Sequence, residues 1–202
     1  GKKRIKYPFS YDRKNEIVTF NGYVKRGYNF EYEYRYNIHY VFLKTINDFN
    51  GENKEYDYSW KVKILSTTKF LGIGLADKRV VRKNKYRFHN GKRNYNGVYC
   101  LYCEYDENSE IYSVHPWSTM NKDLNDYVVN FPNFKEGVEI TLTYKCTENT
   151  LLFSAKNGKN NYVMKNVKSY GNTGETTLTP CVVFLNKGDK VQISKLFKVS
   201  NN

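Results

Sequence analysis

The chain has 202 residues, the length of one large all-β domain, and carries 33 Lys and Arg against 20 Asp and Glu, a net charge of +13. No apolar run is long enough to span a bilayer, and the basic start Gly1-Lys-Lys-Arg-Ile-Lys lacks the apolar stretch of a signal peptide. The cations are spread over nearly every segment, so the charge reads first as a solvated surface and second as a pull toward an anionic partner: nucleic acid, acidic protein or an anionic membrane surface.

Residues 16–20 and 38–43 read as short strands, with turns at Asn21-Gly22 and at Gly27. Between them, residues 31–36 alternate charge with Tyr, the pattern of a strand with one aromatic face. The chain holds 20 tyrosines, and Tyr suits a pleated surface because its ring packs while its hydroxyl stays wet. Residues 47–57 read as a loop.

Residues 58–76 are the centre of the pattern. Tyr58, Trp60, Val62 and Ile64 fall on one face, opposite Ser59, Lys61 and Lys63; Leu71, Ile73 and Leu75 then alternate with Gly72 and Gly74. This predicts two half-buried strands joined as a hairpin, with a close backbone approach at the glycines and with Trp60 in the core. Residues 77–95 are the most basic stretch and read as a long exposed loop. Residues 97–104 return to a strand.

Residues 105–135 have a mixed pattern. Residues 110–114 suit a short strand, whereas His115-Pro116-Trp117 is predicted outside a strand interior because Pro has no N–H. Alternation resumes with Val138, Ile140, Leu142 and Tyr144. Residues 151–155 and 162–167 then form a hairpin about Asn157-Gly158, a pair that favours left-handed turn geometry. Residues 178–185 are apolar on both faces and read as a buried strand, followed by a turn at Gly188-Asp189 and a strand over 191–194. No helix-period segment of useful length is present.

These strands, in this order, resemble the SPRY (B30.2) family. The residues that carry the resemblance are Trp60-Lys-Val62, Leu71-Gly-Ile-Gly-Leu75, Asn96-Gly-Val-Tyr99, Lys135 to Ile140, Asn149-Thr-Leu-Leu-Phe153 with Lys156-Asn-Gly158, Leu178-Thr-Pro-Cys-Val-Val-Phe184 and Gly188-Asp-Lys-Val191. The resemblance covers roughly 56–199 and departs from the family at 77–95 and 105–135. It implies an all-β fold: a two-sheet antiparallel β-sandwich, concanavalin A-like jelly roll of SPRY type. Residues 1–55 would be a PRY-like extension of the same sandwich and 56–202 the SPRY core. It also implies a non-enzymatic scaffold whose loops bind a protein or peptide, within a larger protein.

No constellation in the sequence points to catalysis. His39, His89 and His115 stand in unrelated contexts, Asp106-Glu107 reads as part of a turn, and Gly72-Ile-Gly74 lacks the third glycine of a dinucleotide loop. Cys100 and Cys103 form a C-x-x-C inside a strand, where residues three apart face opposite ways. No second pair stands at ligand spacing, so neither a metal site nor a disulfide framework is expected among the four cysteines. No cofactor is expected.

The binding candidates are Arg79, Arg82, Lys83, Arg87 and Arg93, interleaved with Tyr86 and Tyr95, a mixture that suits acidic peptides or phosphates. Trp117 joins them, as either a groove-lining ring or a core plug. The partner expected is a protein or peptide, acidic in character; the alternative is a basic nucleic-acid-binding module. An intracellular protein, in cytoplasm or nucleus, is expected, since no Asn-x-Ser/Thr acceptor occurs, and the isolated domain is expected to be a monomer.

Overall fold

The computed structural model describes residues 9–22, 39–43, 56–84, 96–120, 122–125, 127–169 and 178–200. The alternation at 58–64 forms a strand with one sealed face: Tyr58, Trp60, Val62 and Ile64 are all 1% exposed or less. The strand is β4 (Tyr56–Ser66), in a sheet that also contains β1 (Phe9–Asp12), β2 (Ile17–Phe20), β8 (Glu139–Lys145), β9 (Thr150–Ala155), β10 (Asn160–Met164) and β12 (Lys190–Ile193), ordered β1-β2-β12-β4-β8-β9-β10. β13 (Phe197–Ser200) completes the eight. It pairs with the first half of β4, while β12 pairs with the second half along the same edge.

The opposing sheet has the order β3-β11-β5-β6-β7, formed by β3 (His39–Phe42), β11 (Leu178–Phe184), β5 (Phe70–Asp77), β6 (Val98–Asp106) and β7 (Ile111–Ser118). All the pairings are antiparallel. The core lies between the layers, with Trp60, Leu142 and Phe153 from one sheet meeting Ile73, Leu101 and Phe184 from the other. Strands from residues 9–43 are built into both layers, β2 against β12 and β3 against β11.

Two tyrosine hydroxyls close one end of the core. Tyr144 of β8 donates to the Val167 carbonyl at 2.8 Å and Tyr99 of β6 to the Lys168 carbonyl at 2.6 Å, so the segment after β10 is held from both layers. The β9–β10 hairpin turns where expected, with positive φ at Lys156, Asn157 and Gly158.

Three local expectations are corrected. β4 and β5 are not a hairpin, because β5 lies in the opposite sheet and the polar break at residues 67–69 carries the chain between layers. Both apolar faces still meet the same core, from opposite sides, and periodicity alone does not distinguish the two connections. The His115-Pro116-Trp117 run does lie inside a strand, β7. β7 is a sheet edge, where a missing N–H costs no ladder bond. Residues 197–200, for which no element is expected, add β13. Finally, residues 78–83 form a short helix, α1 (Lys78–Lys83), within the stretch read as a loop. Its only buried residue is Val81, too little apolar pattern to register as a helical period.

Both faces of β5 and β11 are buried along their whole length. On β5, Leu71, Ile73 and Leu75 face the central core, while Ala76 joins a second cluster on the far face with Val81, Val98, Cys100, Tyr102, Trp117, Cys181 and Val183. Pro180 fits within β11 because its carbonyl accepts from Leu43 N–H at 2.9 Å, just past the end of β3, so its missing N–H also points to that side and no bond of the β5–β11 ladder is lost.

One buried charge sits at the crossover. Asp189, in the turn between β11 and β12, is fully buried; its Oδ1 accepts from Thr68 Oγ1 at 2.8 Å, and its main-chain carbonyl accepts from Phe20 N–H. Its Oδ2 and the nearby buried Oδ1 of Asn186 have no hydrogen-bond partner among the described residues. Desolvation raises the Asp189 carboxyl above its ordinary value of 3.8. The folded chain therefore holds a proton where the unfolded chain has released it, and stability falls as pH rises from 3.8 through the folded value. Asp189→Asn keeps the acceptor for Thr68 and removes the charge. It is expected to raise urea stability at neutral pH by about 1–2 kcal/mol, and to flatten that acid-side slope. A loss of stability would show that the charge is compensated.

Candidate functional site

The C-terminal end of β5 carries the basic feature. Asp77 is buried, with its N–H bonded to the Gly97 carbonyl at 2.7 Å, and α1 starts at the next residue. Gly97 has φ +78°, and a Cβ there would stand 2.8 Å from the Val80 Cβ, so this glycine allows α1 to rest on the start of β6. Val81, 1% exposed, anchors the helix in the far-face cluster. Arg79, Arg82 and Lys83, at i, i+3 and i+4, share the solvent-facing side and are all exposed. Arg82 and Lys83 also sit in the last turn, where the helix carbonyls favour cations. Lys78 places Nζ 5.3 Å from the Phe42 ring centroid, adding a fourth cation to this end. Tyr86, Arg87, Arg93 and Tyr95 lie outside the described residues.

Trp117 is the core plug of the two readings given for it. It is 7% exposed, and its indole N–H donates to Asn96 Oδ1 at 3.1 Å. The same oxygen accepts from Val98 N–H, and Thr119 Oγ1 accepts from the N–H groups of Asn96 and Gly97. Trp117 thus holds the entry to β6, directly beneath α1. It supports the basic end without forming part of its exposed surface.

At the opposite end, the β6–β7 hairpin brings Ser113, His115 and Glu104 together. Ser113 Oγ lies 2.7 Å from His115 Nε2, and Glu104 Oε1 lies 3.8 Å from that same nitrogen. A nucleophile relay needs the hydroxyl and the orienting carboxylate on different ring nitrogens, so this cluster is not a triad. His115 stacks on Tyr102 at 5.2 Å. Asp106 and Glu107 have structural roles. Asp106 accepts from Asn108 N–H within the turn, Glu107 pairs with Lys69, and these bonds lower both carboxyls below the usual range.

Cys103 faces the central core and Cys100 the far-face cluster, so the C-x-x-C does not converge on one point. Burial pushes both thiols upward, and that of Cys146 to about 11, away from nucleophilic thiolate chemistry. Among the described residues no group of three or more His, Cys, Asp or Glu side chains is placed to hold a metal ion, and no helix is long and apolar enough to cross a membrane.

A groove of about 620 Å³ runs beside the outer edge of β7 at this end, lined by Glu104, Asp106, Ile111, Tyr112, Val128 and Phe131 among others. Sequence reasoning missed it. The strand expected over 110–114 supplies one wall, but the opposing 127–133 segment has no period to place it beside that strand.

No protein-family model matches the chain, and no curated protein matches it. Among solved structures it is similar to the SPRY domain of human HERC1, at 17% identity and a TM-score of 0.54, over 94% of this chain and 93% of that one. It is also similar to the TRIM65 PSpry domain, at 11% identity and a TM-score of 0.52, over 93% of this chain and 86% of that one. The sandwich is therefore of SPRY type, and at these identities the likeness is one of fold.

Proposed function

We propose that the chain is a non-enzymatic binding module that holds an acidic segment of another protein against one end of the sandwich. The observation that carries this reading is the placement of Arg79, Arg82 and Lys83 on one exposed side of a helix that is anchored through Val81 to the five-stranded sheet. A rigid sheet end presenting several cations suits carboxylates, which guanidinium groups engage with paired hydrogen bonds. Tyr86, Arg87, Arg93 and Tyr95, which follow α1 in the sequence, belong to the proposed binding set on their chemistry alone. The SPRY-type sandwich is in keeping with an intracellular module of a larger protein, acting as a monomer. The Ser113-His115-Glu104 cluster, with both partners on a single nitrogen, supports a role without catalysis.

The same cations also suit a phosphate backbone, which makes single-stranded nucleic acid the second reading. Panning a displayed random-peptide library against the wild-type domain is expected to enrich Asp- and Glu-bearing peptides. The combined variant Arg79→Ala, Arg82→Ala, Lys83→Ala is expected to lose about tenfold or more of that affinity, about 1.4 kcal/mol. Equal enrichment by both proteins would remove α1 from the contact surface. Binding of single-stranded RNA alone, weakening between about 50 and 200 mM salt with a log–log slope near −0.7 per phosphate neutralised, would replace this reading with the nucleic-acid one.

A further inference from the structure

The outer edge of β7 is closed along most of its length, and each closure is a specific contact. At Ser118 the side chain of Asn125 acts as a substitute strand: its Oδ1 accepts from Ser118 N–H at 2.7 Å and its Nδ2 donates to the Ser118 carbonyl at 3.1 Å. Two residues back, Pro116 has no N–H to offer. Two further back, the Val114 carbonyl accepts from Val129 N–H at 2.9 Å. These devices keep a sheet edge from pairing indiscriminately.

Among the described residues the closure stops at Tyr112. Its cross-strand neighbour Tyr105 donates its N–H to the Lys69 carbonyl, on the β5 side. By the alternation of antiparallel ladders, Tyr112 therefore directs its N–H and C=O away from β6 and into the groove. Ile111, Tyr112 and Val128 border this open stretch, exposed by 59%, 37% and 69%.

We propose that this stretch of β7 receives an extended, basic segment of a partner protein, which adds to the sheet as a further strand across from Tyr112. Charge selects the occupant. Glu104, Asp106 and Glu107 line the groove of a chain whose net charge is +13, with Glu107 paired to Lys69. On the added strand, successive side chains would alternate between faces. One set would lie over Ser113, whose small side chain leaves room for a long Lys or Arg to reach Glu104, its cross-strand neighbour. The other set would lie beside Tyr105 and Tyr112, whose rings pack at 4.9 Å, and suits aliphatic residues. Main-chain pairing would give the affinity and the alternate pockets the selectivity. This surface is separate from α1, opposite in charge and at the other end of β5.

The test uses two labelled peptides of about ten residues, one alternating Lys with Val and the other alternating Glu with Val, titrated against the whole chain. The Lys-Val peptide is expected to bind, and the Glu-Val peptide to bind at least about tenfold more weakly. Tyr112→Val keeps the outward N–H and should retain the Lys-Val peptide, whereas Tyr112→Pro removes that donor without touching the bonds to β6 and should lose it. Should Tyr112→Pro fail to fold by circular dichroism, the peptide carries the modification instead: N-methylation at alternate residues should abolish binding in one phase and spare it in the other. Equal binding of the two peptides, equal binding to Tyr112→Val and Tyr112→Pro, or indifference to the methylation phase would overturn the proposal. Self-association that Tyr112→Pro abolishes would place a second copy of this chain in the groove and overturn the assignment of the partner.

Discussion

Gly74→Ala is expected to prevent the five-stranded sheet from forming. A Cβ at this position would stand 2.0 Å from the Tyr99 carbonyl oxygen and 2.7 Å from the Cys100 Cα, both main-chain atoms of the neighbouring β6. Main chain inside a ladder does not rotate aside as a side chain does. β11 pairs with β5 on its other side, opposite Gly74 at Cys181, so β5 has no free direction in which to retreat. Overpacking a closed core costs about 1–3 kcal/mol when side chains yield, and more when they do not, against a total stability of about 5–15 kcal/mol for a domain. The variant should be insoluble or should unfold without a cooperative transition in urea. Gly72→Ala is the internal comparison, since the nearest atom there is the Val183 Cβ at 3.2 Å, a side chain that shifts by a few tenths of an ångström. If both variants unfold cooperatively at the same urea concentration, the close approach of β5 to β6 is wrong.

Trp117→Ala should cost about 3–5 kcal/mol, the range for truncating a buried aromatic, because the ring fills the far-face cluster beside Val81, Val98 and Cys100. Trp117→Phe keeps most of the volume and gives up the indole hydrogen bond to Asn96, which still accepts from Val98, so a loss of about 1 kcal/mol is expected. Urea unfolding of the two variants separates packing from hydrogen bonding. A cost below about 1 kcal/mol for Trp117→Ala would mean that the ring does not bear on the core. The result also governs how binding data are read. Removing Trp117 undermines the support beneath α1, so lost binding in Trp117→Ala reports a damaged scaffold, whereas Arg79, Arg82 and Lys83 are exposed and replaceable without that damage.

The elements with strong alternation were legible in advance. Tyr58 to Ile64, Ile140 to Tyr144 and the Asn157-Gly158 hairpin each combine a period of two with one buried face, and such a pattern admits few other structures. What stayed hidden depends on long-range position. Whether the chain after Ser66 folds back beside β4 or crosses to the other layer leaves the same alternation in β5, so the hairpin expectation failed where the strand expectation held. Pro116 argues against a strand until β7 is known to be an edge. Arg79, Arg82 and Lys83 were singled out from cations interleaved with aromatics; their grouping on one side of α1 depends on a helix that Val81 stabilises only through contacts with distant residues. Trp117 had equal claims to core and groove, and the decision rests on Asn96, a residue 21 positions away.

Because every residue of β5 and β11 is sealed on both faces, neither strand offers a position that could change without disturbing the interior. Divergence toward new ligands would have to proceed outside those strands, at α1 and at the tip of the β6–β7 hairpin. Two lineages of this fold could therefore share an almost invariant middle while having nothing in common in what they recognise.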